Sequence, residues 1–137
     1  MKKTLAAFAI GTLLAGSLNA AEKKDPRMEL MRDMRTMMDA MEQIQRGGLY
    51  SSSDEMKLGV QKLQGTLKSL ESEDVKVILP KDQAYAYKFA QKTAKMLRLY
   101  SDDLIVSVDA GRMDDALEDY TQLLSQCTSC HIRIRNW

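Results

Sequence analysis

The sequence predicts an all-α protein, an antiparallel up-down-up-down four-helix bundle. Apolar residues recur at intervals of three and four in four segments, which is the spacing of one face of a helix. Strand patterns are almost absent, and short connections join the segments, as in an antiparallel bundle. The chain has 137 residues, a length that suits a single domain with one core.

The first 20 residues have the composition of a secretory signal peptide. Two lysines precede an apolar run over residues 5–18, and small residues follow before charges begin at Glu22. The run is too short for a membrane span, which needs about 20 apolar residues. We therefore expect cleavage after Ala20 or Ala21 and one soluble, exported domain over residues 21–137 in the periplasm.

Capping residues mark the first two helices. Asp25 before Pro26 is typical of a helix start, and Gly47-Gly48 is expected to stop this helix near residue 46. Its predicted inward residues are Leu30, Met34, Met37, Met41 and Ile44. A capping box at 52–55 opens the second helix, whose predicted inward residues are Met56, Val60, Leu63, Leu67 and Leu70. The apolar residues 75–79 are interpreted as a connector, because a lone strand would have no partner.

The third and fourth helices are predicted over about residues 82–109 and from Met113 or Asp114 onward, with Gly111 between them. The third is expected to bury Ala86, Phe89, Ala90, Leu97, Tyr100, Leu104 and Val108. The stripe of the fourth helix comprises Met113, Ala116, Leu117, Tyr120, Leu123, Leu124, Cys127, Cys130, His131 and Ile134. Cys127, Cys130 and His131 share this face, so a group attached to them would enter the bundle.

Residues 127–131 read Cys-Thr-Ser-Cys-His, which is the spacing of a covalent c-type haem attachment site. Each cysteine can add to a haem vinyl group, and the histidine can then bind the iron. The chain contains two cysteines and one histidine, all within this segment. The sequence therefore predicts one covalent haem c near the end of the last helix, and no second histidine for the opposite face of the iron.

Other chemistry for these residues is less favoured. Structural zinc usually takes four Cys or His ligands, and the chain offers three. A thioredoxin-like dithiol would stand at a helix start after a strand, whereas this segment ends a helical pattern. A simple disulfide or a metal thiolate remains an alternative.

The chain resembles the class II c-type cytochromes, which comprise cytochrome c prime and its low-spin relatives. The similarity covers the mature chain: residues 27–33 resemble the family's first-helix pattern, residues 110–114 the turn before its last helix, and His131-x-x-x-Arg135 its post-haem segment. Ile134 departs from the aromatic residue that is common there. The resemblance implies an export signal, a four-helix bundle, a haem near the C-terminus and, in many relatives, a homodimer formed through the first two helices.

The resemblance also implies roles for individual residues. His131 would be the proximal iron ligand and Met31 would occupy the distal position. Arg27 would lie near a haem propionate, and Arg135 near the proximal histidine. Met31 could instead be ordinary core packing, and both arginines could be solvated residues near helix ends.

Two functions follow as expectations. With His131 and a methionine on the iron, the protein would transfer single electrons between periplasmic partner proteins. With the distal position open, it would bind a diatomic gas such as NO or CO, for sensing or detoxification. Enzymatic catalysis is not expected, because no further histidine is present to move protons.

Composition indicates which other classes of partner the protein could bind. Without Lys2 and Lys3, the mature chain holds 18 basic and 19 acidic side chains, so it lacks the basic excess of a nucleic-acid-binding protein. Six of the ten methionines lie between residues 28 and 41. Thioether clusters can bind Cu(I), so a Met-rich copper-binding protein is a third, less favoured interpretation.

Overall fold

Residues 25–81 and 85–135 are described by a computed structural model, and their regular structure is entirely helical. The helices are α1 Pro26–Leu49, α2 Ser53–Thr66, α3 Lys68–Glu71, α4 Ala86–Asp109 and α5 Met113–Arg135, with a 3-10 helix at Glu73–Val77. Four of them are long, which confirms the all-α prediction and the number of principal helices. The predicted signal peptide, residues 1–20, lies outside the described residues. Within the described part, no helix is both long and apolar enough to cross a bilayer.

The predicted caps form. The Asp25 carboxylate accepts a hydrogen bond from the Arg27 amide at 2.9 Å, with Pro26 at the first helical position. Ser52 caps α2 by accepting from the Glu55 amide at 3.4 Å. Gly111 has φ +70, in the left-handed region that glycine adopts freely, and it separates α4 from α5.

The prediction that Gly47-Gly48 stops the first helix is wrong, because α1 continues through both glycines to Leu49. Their role is close packing. A Cβ atom at Gly47 would lie 2.6 Å from Cγ of Met56, and one at Gly48 would lie 2.6 Å from Cδ2 of Leu117. The missing side chains let α2 and α5 approach α1.

Helix α2 lies against both α1 and α4. Near the end of α1, Gly47 lies against Met56 at the start of α2, and further back Ile44 lies against Gly59. The amide nitrogen of Gln64 in α2 donates to the side chains of Ser101 and Asp102 in α4, at 2.9 and 2.7 Å. These contacts join three of the four long helices.

The core contains most of the predicted apolar residues. All five residues named for the second helix are buried, although the helix breaks at Leu67 into α2 and α3. The predicted stripe of the last helix was too wide, because Leu117 and Leu124 are 36% and 45% exposed. They lie on the flank of a stripe whose centre faces the core. Phe89, Tyr100 and Tyr120 are partly buried. Helix α4 begins at Ala86, and residues 82–84 of the predicted third helix lie outside the described part.

Candidate functional site

A cavity of about 640 Å³ lies where α1 begins and α5 ends. Its volume falls within the range of small-molecule and cofactor pockets, about 300–1,000 Å³. The walls are mainly apolar and come from α1, α3, the segment before α4, α4 itself and α5; they comprise Arg27, Leu30, Met31, Met34, Leu70, Val75, Ile78, Leu79, Pro80, Ala90, Cys130, His131 and Ile134.

Helix α5 brings the two cysteines and the histidine to this region. Positions 127, 130 and 131 are three and four residues apart, so they share one face of the helix. All three side chains are partly buried. Cys130 and His131 line the large cavity, and all three line an adjoining cavity of about 120 Å³. The predicted inward orientation of this segment therefore holds in the fold.

Both cysteines are free thiols in an environment that keeps them protonated. Burial raises the pKa of Cys127 to about 11, and the neighbouring Cys130 adds to the shift. Burial also raises the pKa of Cys130, while a hydrogen bond with Thr93 opposes that shift. Thr93 is only 3% exposed and lies on α4. It is a polar contact of the site that the sequence did not indicate.

Two methionines of α1 face the same cavity as His131. Two contacts give the register of α5 on α1: the Tyr120 hydroxyl lies 3.5 Å from Oε1 of Gln45, and Leu117 lies against Gly48. His131 is eleven residues after Tyr120, and Met34 is eleven residues before Gln45. His131 and Met34 therefore lie at about the same level along the helix axes. Met31 lies about 4.5 Å further toward the start of α1. Both methionines line the cavity, and Met31 is 47% exposed.

The structure describes the side chain of Arg27 but not that of Arg135. Arg27 is exposed in the first turn of α1 and lines the large cavity. It is therefore placed where a guanidinium could meet an anionic group of a ligand. Arg135 is the last residue of α5, and its side chain lies outside the described part of the structure.

The connector before α4 forms a wall of the cavity, which sequence analysis missed. Val75 is buried in the 3-10 helix, and Ile78, Leu79 and Pro80 follow it along the cavity. The Lys76 ammonium lies 4.4 Å from the centre of the Tyr87 ring, which ties this connector to α4. The apolar run in this otherwise polar connector is the sequence signal that could have indicated a wall of the cavity.

An aromatic ring lies near the end of α5 although residue 134 is isoleucine. Phe89 of α4 packs in a small cluster with Ile134, Cys130 and Leu79. The Arg133 guanidinium stacks over this ring at 5.1 Å. The ring contributed from α4 thus packs beside Ile134, the position where class II cytochromes commonly have an aromatic residue.

No family model, curated protein or solved structure matches this chain. The resemblance to class II cytochromes accordingly stays a prediction from local motifs. Among the described residues, no group of three or more His, Cys, Asp or Glu side chains is placed to hold a metal ion. The candidate site is defined by its cavity, its two thiols, its histidine and its methionines.

Proposed function

We propose that the protein is a periplasmic monohaem cytochrome of the c type that transfers single electrons between partner proteins. The observation that carries the proposal is the position of the chain's only histidine. His131 lines a cofactor-sized cavity together with Cys130, and methionines of α1 line the same cavity. A bound haem would supply a one-electron iron couple, and histidine with methionine as axial ligands raises its potential.

The residues around the cavity fit such a group. Cys127 and Cys130 each carry a free thiol for one thioether bond, and His131 follows directly as the proximal ligand. Apolar side chains of the connector line one side of the cavity, where they would shield a bound group from water. Arg27 would pair with a carboxylate at the rim, and we assign Arg135 to the same end as a neighbour of the proximal ligand.

We favour Met31 as the distal residue and Met34 as its competitor. Both lie within one helical turn, about 5.4 Å along the axis, of the level of His131. Met31 is the residue that the resemblance to class II cytochromes assigns to the distal position. Met34 also contacts the core cluster, which limits its freedom.

The contacts between helices support an up-down-up-down order. The α1 and α2 contacts pair the end of one helix with the start of the next. In the second hairpin, the Ser107 hydroxyl near the end of α4 donates to Asp119 near the start of α5 at 3.3 Å. With this order, α5 ends beside the beginning of α1, as a haem held between them requires.

Binding of NO or CO is the second candidate function, and the exposure of Met31 favours it. A side chain that is 47% exposed beside the cavity can move aside and leave the distal position to a diatomic ligand. In that case Met31 would act as a cover instead of a ligand, and the protein would sense or remove the gas.

Acid-acetone extraction tests covalent attachment. The protein is produced in a periplasm that contains the haem-attachment machinery and is then denatured and extracted. We expect the haem to remain on the wild-type chain, and to be lost when Cys127→Ser and Cys130→Ser are combined. Clean extraction from wild type would reject the c-type proposal.

Optical spectra with and without CO separate the two functions. A low-spin ferric and ferrous protein that leaves CO unbound supports electron transfer. A high-spin protein that binds CO supports the gas-binding function instead. The homodimer, the redox partners and the periplasmic location are also parts of the proposal. Size-exclusion chromatography tests the homodimer, and cell fractionation tests the location.

A further inference from the structure

The adjoining cavity of about 120 Å³ is lined by an unusual number of sulfur-containing side chains. Four methionines of α1 contribute to it, together with both cysteines and His131; the methionines are Met34, Met37, Met38 and Met41. The cavity is too small for a cofactor of haem size, since such pockets begin at about 300 Å³. Thiolate and thioether sulfur are soft ligands that select Cu(I).

The register of α5 on α1 identifies the methionine that lies level with the thiols. Counting from the contact between Tyr120 and Gln45, Cys127 is level with residue 38 and Cys130 with residue 35. Met37 is the buried methionine between these levels, at 5% exposure, whereas Met38 is 60% exposed. The inward thioether nearest to both thiols in the register is therefore that of Met37.

We infer that the haem-free chain binds one Cu(I) ion in this cavity through the sulfur atoms of Cys127, Cys130 and Met37. Met37 supplies the third sulfur, because its side chain lines the same cavity as both thiols. Three sulfur ligands in an apolar cavity give Cu(I) a site that hard cations do not favour.

The binding step balances without a change of oxidation state. Copper enters as Cu(I), each thiol releases one proton to solvent, and two copper–thiolate bonds form. The neutral Met37 sulfur adds a third bond. Affinity therefore decreases as the pH decreases, because protons compete for both thiolates.

Copper and haem would exclude one another, because thioether bonds to haem would use the same two sulfur atoms. The copper site nevertheless does not depend on the haem proposal. If no covalent haem forms, the proposed function is rejected and the copper result is unaffected. A haem-free chain that fails to bind Cu(I) would reject only this inference.

The test is a titration of the haem-free full chain with Cu(I) in anaerobic competition with a chromophoric Cu(I) chelator. We expect one equivalent per chain. Met37→Leu should weaken the affinity by about tenfold or more, the scale of losing one contact at a metal site. The double variant Cys127→Ser, Cys130→Ser should abolish stoichiometric binding, because neither thiolate remains. Met28→Leu is the matched control, because Met28 is 62% exposed and lines neither cavity.

Circular dichroism of each variant establishes that the helices are retained, which is expected because leucine and methionine have similar volumes. X-ray absorption on the copper-loaded wild type needs no variant and should detect three sulfur ligands. Oxygen or nitrogen ligands only, or equal losses for Met28→Leu and Met37→Leu, would overturn the proposal. Protection of both cysteines from alkylation by bound Cu(I) would support it.

Discussion

At the scale of single residues, the site depends on which side chains meet across the cavity. His131 from α5 and the methionines of α1 come from opposite ends of the chain, yet they line one space. The histidine is the only one in the sequence, so a second protein ligand on the opposite face of the proposed haem iron would be a different residue type. That requirement makes the methionines the residues to test.

Met31→Ala in the haem-loaded protein is the first prediction. If Met31 is the distal ligand, its removal converts a low-spin spectrum to high spin, lowers the reduction potential and opens the iron to CO, because the thioether bond is lost. Optical spectroscopy and redox titration measure these changes.

Two matched variants make the Met31→Ala experiment specific. Met34→Ala removes the competitor on the same cavity, and Met28→Ala removes an exposed methionine of α1 that lines neither cavity. A low-spin spectrum retained in Met31→Ala and lost in Met34→Ala would move the ligand to residue 34. Effects of Met28→Ala of equal size would contradict both assignments.

The carboxyl of Asp119 gives a prediction of how the stability of the fold depends on pH. Burial raises the pKa of its carboxyl from the ordinary 3.8, opposed by the hydrogen bond from Ser107. The folded state therefore holds the proton more tightly than the unfolded chain, and this contribution to stability is lost as the pH rises through the folded pKa. Asp119→Asn should stabilise the protein at neutral pH by less than about 1 kcal/mol, since the group is partly solvated.

Urea unfolding of Asp119→Asn at a series of pH values tests this sign. The gain should be present at neutral pH and vanish in acid, where the wild-type carboxyl is neutral. Asp39→Asn, at an exposed position in α1, is the control for the loss of one negative charge. A variant that is less stable at neutral pH, or a gain confined to acid, would contradict the prediction.

At the scale of elements, α2 fits against α1 because small residues permit a close approach. A Cβ atom at Gly59 would lie 2.6 Å from Cγ1 of Ile44 and 2.9 Å from the carbonyl oxygen of Ala40. The oxygen belongs to the backbone and cannot rotate away. The distance between these two helices is therefore set by the glycine.

Gly59→Ala should destabilise the protein by about 1–3 kcal/mol, the usual cost of overpacking. Gly65→Ala is the matched control in the same helix, because nothing lies within 4 Å of a Cβ atom there. It should be neutral or stabilising by up to about 1 kcal/mol, since alanine favours the helix. Denaturant unfolding measures both, and equal effects of the two substitutions would contradict this account.

At the scale of the whole molecule, the larger of the two described cavities lies between the helices. An unfilled cavity costs contacts that its lining residues would make with a ligand. Covalently attached haem cannot leave on unfolding, so its stabilising effect would come from packing and axial ligation in the folded state. If the proposed haem fills this cavity, we expect it to supply much of the stability of the fold.

The haem-loaded chain should melt at least about 5 °C above the haem-free wild-type chain, since about 1 kcal/mol corresponds to 4–8 °C for a small domain. Thermal unfolding followed by circular dichroism measures the difference. The haem-free variant Cys127→Ser, Cys130→Ser should melt with the haem-free wild type, which separates the cofactor from the substitutions. Equal melting of loaded and haem-free wild type would contradict this role of the cavity.

The sequence by itself determined the elements that depend on local spacing. Caps at Asp25 and Ser52, the turn at Gly111, and the common face of residues 127, 130 and 131 follow from interactions within about one helical turn. The start of the fourth helix, predicted at Met113 or Asp114, is Met113.

Only the tertiary structure decided which of these faces meet. It carried α1 through Gly47 because two neighbouring helices approach there. It also folded the connector at 75–80 over the cavity and placed Phe89 beside Ile134. These outcomes depend on contacts between residues far apart in sequence, and no local spacing encodes the partner that a side chain meets across a cavity.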